Sequence, residues 1–136
     1  MDASQDGPPL AAPVIDRMFT EAMTLLEAAR ALARSRVGPG AAGARGQVEA
    51  LRITARLAAA LAWMLAAKAV NAGEISAEDM ARDYRLDRHT RSICLQEAVP
   101  DDPELPAALR ALTAASLRLY SRLARLDELI ARRAPR

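Results

Sequence analysis

Cysteine is nearly missing from this sequence. Cys94 stands alone, so no internal disulfide is available and an apolar core has to supply the stability. Aromatic residues make up only 3%, and Val, Ile, Thr and Tyr are sparse and never alternate, which withholds the pattern a sheet needs. Long apolar runs are lacking too. The stretch from Leu57 to Ala67, between Arg56 and Lys68, holds eleven uncharged residues, whereas a bilayer span takes roughly 20. The opening "MDASQDGPPL" has acids where a secretory leader has Lys or Arg followed by an apolar run. The expected location is therefore the cytoplasm.

What the chain has in quantity is alanine, leucine and arginine, and 136 residues fit one domain. The expected class is all-α, an antiparallel three-helix bundle with a short extra helix between the second and third long ones. Residues 1–12 are polar and proline-containing and read as a flexible arm, residues 13–133 as a single helical-bundle domain, and 134–136 as a short tail. From Pro13, apolar residues including Ile15, Met18, Ala22, Leu25 and Leu32 line one face of a first helix that Gly38 stops. "GPGAAGARG", residues 38–46, is glycine-rich and reads as a loop. The second helix, residues 49–74, is apolar on every side of its middle, so it needs cover from more than one direction around Trp63, with Gly73 as a left-handed stop. "SAED", residues 76–79, offers a hydroxyl cap and an acid three residues on, opening a short helix that ends near Tyr84. Asp102 and Pro103 begin the last long helix. There Leu105, Leu109, Leu112, Ser116, Leu119, Leu123, Leu126 and Ile130 alternate four and three apart, a seam broken only by Ser116. Helices of similar length lying side by side give an up-down-up order.

Net charge is +2, too even to imply a nucleic-acid binder, but its distribution is uneven. Residues 74–104 carry nine acids against four arginines, net −5, and from Arg110 onward seven arginines face two acids, net +5. Mutual neutralisation is one reading of this split and a basic docking stripe is the other.

The inventory for catalysis is poor. His89 and Cys94 are the only members of their types, no pair has metal-ligand spacing, and no cofactor is implied. "GPGAAGARG" lacks the lysine and hydroxyl of a phosphate-gripping loop. An enzyme is not expected. Residues 75–96 resemble a helix-turn-helix, with Met80, Ala81, Tyr84, Leu86 and Cys94 near its buried positions. Arg85 and Arg91, however, stand where that motif takes glycine and an apolar residue. A small DNA-binding regulator built on 75–96 is thus the alternative function.

Protein surface remains. Arg118, Arg122 and Arg125 sit four and three apart on the last helix beside Tyr120 and form the candidate partner-binding stripe. Glu49, Arg56 and Trp63 fall seven apart on the second helix, either as a core row or as a docking row.

The same residues carry a family resemblance. "EALRITARLAAALAWMLAAKAVNAGE", residues 49–74, resembles the signature helix of the bacterial RcdA family, regulators of CtrA degradation, through Glu49, Arg52, Thr54, Arg56, Leu57, Trp63, Lys68, Ala69, Val70, Gly73 and Glu74. "LPAALRALTAASLRLYSRLARLD" is similar to that family's last helix and "FTEAMTLLEAAR" to its first, so the resemblance spans most of residues 18–130. It implies a homodimeric three-helix bundle without enzymatic activity. Such a bundle acts as an adaptor for the ClpXP protease and bridges a protease primed by a CpdR-like regulator to a PopA-like adaptor or CtrA-like cargo. It assigns no role to individual motif residues. The family's adaptor member carries a flexible tail after the last helix, where this sequence reads "RRAPR".

Overall fold

Four helices appear in the computed structural model, which describes residues 11–34, 41–86 and 103–133: α1 (Ala12–Arg34), α2 (Ala41–Asn71), α3 (Ala77–Asp83) and α4 (Ala107–Arg133). At 1.5 Å per residue the 23, 31 and 27 residues of α1, α2 and α4 reach roughly 35, 46 and 40 Å. Among the described residues there is no strand. The expected all-α bundle with one short extra helix is what the chain forms.

Its core gathers Ile15, Met18 and Ala22 of α1, Ile53, Leu57, Ala60, Trp63, Met64 and Ala67 of α2, and the leucine seam of α4 from Leu109 to Ile130. Leu126 of that seam is only half-buried and Ala33 of α1 is exposed. Met80 and Leu86 add cover from the connector. A fully buried Leu, Ile or Met side chain contributes about 1.5–3 kcal/mol, so this shared interior is the main stabilising term.

The order of directions differs from up-down-up. The amino group of Lys68 donates to Asp16 Oδ1 at 2.7 Å and lies 4.9 Å from the Phe19 ring centre, so the end of α2 meets the start of α1 and those two helices are antiparallel. Between α2 and α4 the contacts climb together. Arg45 pairs with Glu104, Glu49 meets Thr113, Arg56 meets Ser116 and Trp63 meets Asp127. α2 and α4 are therefore parallel, and α1 opposes both. Antiparallel neighbours need only a short loop, whereas α2 and α4 are separated by residues 72–106, long enough at up to about 3.3 Å per residue to return the full length of the bundle.

Two helix starts also differ from expectation. Residues 41–46 are helical rather than loop, and Gly43 and Gly46, three apart, are buried on the face that continues through Glu49 and Ile53. Glycine's helix propensity is about 1 kcal/mol below alanine's, yet both glycines keep the helical spacing of that buried face. At the other end, residues 103–105 form a turn and α4 starts at Ala107, because a residue preceding proline avoids the helical region and Pro106 follows Leu105. Residues 1–10, Gly38 and the tail 134–136 lie outside the described residues.

By length and composition Gly43–Asn71 is long and apolar enough to cross a membrane, which the eleven-residue run did not suggest. The same helix supplies the buried face of the bundle.

Local signals are met closely. Ser76 Oγ accepts from Asp79 N at 2.9 Å and Asp79 Oδ2 accepts from Ser76 N at 3.3 Å, a reciprocal capping box, and Tyr84 caps the other end of α3. Gly73 sits at φ +76°, Gly73 N donates to Val70 O at 3.0 Å and Glu74 N to Ala69 O at 2.9 Å, a Schellman stop.

Nothing lies within 4 Å of a Cβ added at Gly73, so Gly73→Ala is expected to cost about 1 kcal/mol from the left-handed backbone alone, read as a lower urea midpoint at unchanged m-value. The Asp79 carboxyl is held below its usual range by the Ser76 backbone N–H and then by Arg82. A depressed folded value means the stabilisation is complete above the ordinary carboxylate range and is lost as pH falls through the lower, folded value. Carbon secondary shifts over Ala77–Asp83 should therefore collapse at acid pH before those of α2.

Candidate functional site

Three of the family-like residues, Glu49, Arg56 and Trp63, point inward at α4. Glu49 is buried, accepts from Thr113 Oγ1 at 2.7 Å and receives Arg52 Nη1 at 3.4 Å. One heptad on, Arg56 has 0% exposure and its Nη1 donates to Ser116 Oγ at 2.7 Å, while Ser116 Oγ donates to Thr113 O at 3.1 Å. The break in the leucine seam is thus the acceptor for a buried cation. A further heptad on, Trp63 Nε1 donates to Asp127 Oδ1 at 3.1 Å. Thr113, Tyr120 and Asp127 are themselves seven apart, the same step as Glu49, Arg56 and Trp63.

Asp127 is the hub of the end nearest α3. Besides Trp63, its Oδ1 accepts from Leu86 N at 3.3 Å, and its Oδ2 takes Arg85 Nε at 3.2 Å and Nη2 at 3.1 Å. Arg85 Nη2 also reaches Glu128 Oε1 at 3.4 Å. Both carboxylate oxygens are thereby engaged while the group is buried, the condition under which a buried charge is tolerated. This hub fastens the chain after α3 to both α2 and α4. Sequence reasoning missed it, although the seven-residue step from Tyr120 to Asp127 repeats the step that flagged Arg56 and Trp63.

The row Glu49–Arg56–Trp63 is therefore core rather than docking surface. Gly73 and Glu74 stand exposed at the turn after α2.

The arginine stripe is brought together in part. Arg118 and Arg125 are exposed on the outer side of α4, where no ion pair engages either of them among the described residues. Arg122 between them reaches across to α1, its Nη2 donating to Glu21 Oε2 at 2.5 Å. Tyr120 does not join them. It has 0% exposure, and stands seven residues from both Thr113 and Asp127. The outward basic chemistry of α4 is that of Arg110, Arg118, Arg125 and Arg132, strongly positive and suited to carboxylate-rich partners through planar, forked donors.

In the segment likened to a helix-turn-helix, Met80 and Leu86 are buried as that motif asks, but Tyr84 is exposed and Arg85 is committed to Asp127. The second half of that segment, with His89, Arg91 and Cys94, lies outside the described residues. Among the described residues no group of three or more His, Cys, Asp or Glu is placed to hold a metal ion.

A family model described as a protein of unknown function, DUF1465, matches residues 8–136, nearly the whole chain, and that family includes RcdA-like proteins. No curated protein and no solved structure matches the chain.

Removing the hub should separate interior from exterior. Asp127→Ala leaves Trp63 Nε1 and Leu86 N without this acceptor and Arg85 with Glu128, and is expected to lower stability by about 3–5 kcal/mol, while Asp127→Asn, which keeps one acceptor oxygen, loses about 1–3 kcal/mol. Arg118→Ala should stay within about 0.5 kcal/mol of the parent in the same urea titration. Equal losses at Arg118 and Asp127 would contradict this division.

Proposed function

We propose that this chain, which belongs to the DUF1465 family, is a non-enzymatic protein–protein adaptor of regulated proteolysis, working in the cytoplasm as a homodimer. In this reading it holds a ClpXP-type protease, primed by a CpdR-like regulator, near a PopA-like adaptor or a CtrA-like cell-cycle cargo. The family match and the resemblance of residues 49–74 to the RcdA signature helix support it.

One observation carries the reading. Three of the residues that carry the resemblance, Glu49, Arg56 and Trp63, are used inside the bundle as pins between α2 and α4, so recognition falls to exterior side chains, as it does in a scaffold. Tethering needs no activated bond. Two partners held on one rigid body meet at an effective concentration that reaches the millimolar range for short connections, enough to raise delivery by orders of magnitude. The exposed arginines of α4 are the proposed contact for an acidic partner surface, Arg118 and Arg125 at its centre and Arg122 beside them. Charges of this kind steer encounter more than they hold the final complex.

The double charge reversal Arg118→Glu, Arg125→Glu tests the surface. Both side chains point outward, so helicity and melting temperature should be retained while capture of the protease or its regulators from lysate falls by roughly tenfold or more. Unchanged capture counts against this surface. The purified chain should also give no salt-dependent mobility shift with DNA, since a phosphate-binding regulator would show one that weakens steeply with salt.

A further inference from the structure

Four arginines follow one another down the outward face of α4. Arg118, Arg125 and Arg132 are seven residues apart and Arg110 precedes them by eight, so all four fall on one side of the helix, about 12, 10.5 and 10.5 Å apart along its axis. All four are exposed, and among the described residues no ion pair engages any of them. Neighbouring acids are committed to other arginines. Asp127 and Glu128 hold Arg85, and Glu21 of α1 holds Arg122. A straight row of cations about 33 Å long is thereby left uncompensated on a rigid rod.

We infer that this row receives the acidic face of a partner's α-helix, laid alongside α4 and carrying Asp or Glu at seven-residue steps. The inference rests on the reading of the α4 arginines as a partner contact, and it adds the shape of the partner and the pattern of its charges.

Spacing selects a helix. Seven residues make two turns, and a helix crossing another at about 20° presents its own side chains at the same interval of about 10.5 Å. One carboxylate per heptad then meets Arg118, Arg125 and Arg132 in turn, each guanidinium offering two parallel N–H donors. An extended peptide repeats on one face every two residues, about 6.6 Å, and falls out of step with the row.

The residues between the arginines point the same way. Ala111, Ala114 and Ser121 are small, which lets a second helix approach to the short end of the 8–10 Å range of axis separations. No exposed aromatic or amide side chain stands on α4 to stack on a base or read its edge. Leu129, 36% exposed, is the one large apolar side chain beside the row, where a membrane-lying helix carries an apolar face. Exposed ion pairs are individually weak and screened by salt. The contact therefore sets the register of a partner and loses strength as salt is raised.

Fluorescence anisotropy of labelled synthetic peptides of roughly four heptads, mixed with the full chain at about 50 mM salt, tests this. One peptide carries Glu at seven-residue steps in an Ala and Gln background. The other has the same composition with Glu at five-residue steps, which winds the acids around the helix. The heptad peptide is expected to bind roughly tenfold tighter or more and to gain helicity by circular dichroism on binding. Arg118→Glu with Arg125→Glu should abolish that preference at an unchanged melting temperature. Arg17→Glu with Arg30→Glu, an equal change of net charge at exposed positions of α1, should alter binding by less than about threefold.

Equal binding of the two peptides, or no binding of the heptad peptide up to about 1 mM, overturns the inference. So does an equal loss in the α1 and α4 variants. Duplex DNA or phosphatidylserine vesicles that bind the parent more tightly than the heptad peptide, and are lost in the α4 variant, assign the row to phosphates and overturn the helix. No protease component enters these assays. Capture from lysate that still depends on Arg118 and Arg125, with no preference between peptides, would keep the adaptor surface and remove only the helical partner.

Discussion

Arg56 is charged at every accessible pH, it lies at the centre of α2 and it has no exposure to solvent. A buried guanidinium is tolerated only where acceptors await it. Ser116 Oγ, 2.7 Å away, is one of them, set in a row of α4 otherwise made of leucine and isoleucine. Shifting α4 by one turn would take Ser116 away from the cation. Glu49 with Thr113 and Trp63 with Asp127 repeat the condition one heptad to either side. Together the three rows admit one register and one direction for α2 against α4. Apolar packing alone, indifferent to sliding by a heptad, would not have chosen between them.

This places Glu49, Arg56 and Trp63 on the inside and frees the outside to differ. Glu49, Arg56 and Trp63 maintain the bundle, while α4 turns Arg118 and Arg125 to solvent and α2 turns Leu51 and Leu65. The two outward faces have opposite chemistry, one cationic and one apolar. They lie on the two parallel helices, so a contact made on one need not compete with a contact made on the other.

Much of the fold was readable from local rules. The Ser76–Asp79 box and the Gly73 stop depend on three or four neighbouring residues and appeared where expected. The seam of α4 was readable as well, and its single irregularity at Ser116 marked the buried cation's acceptor. Other features depend on relations that a one-dimensional pattern does not hold. Similar helix lengths suggest alternation of direction, while the clue to the parallel pair is the length of the 72–106 connector. Residues 41–46 look like loop by glycine content, although Gly43 and Gly46 keep helical spacing. Tyr120 has a polar end and neighbours three arginines, which suited a surface, but its seven-residue distance from Thr113 and from Asp127 made it interior. On α2, alanine occurs on both sides, and periodicity in alanine cannot tell a covered face from an open one.

The parallel pairing of α2 and α4 also bears on how the chain reaches its native state. Contacts between them join positions 60 to 64 apart, and closing so long a segment is entropically costly, which slows acquisition of the topology relative to a bundle of sequential hairpins. During synthesis α1 and α2 emerge first and can zip together through Asp16 and Lys68, but Thr113, Ser116 and Asp127, which meet Glu49, Arg56 and Trp63, arrive only with α4. An unfinished nascent hairpin thus keeps a cation and an anion in the middle of its open flank. Those charges hold water there and discourage premature clumping of half-made chains until the last helix arrives.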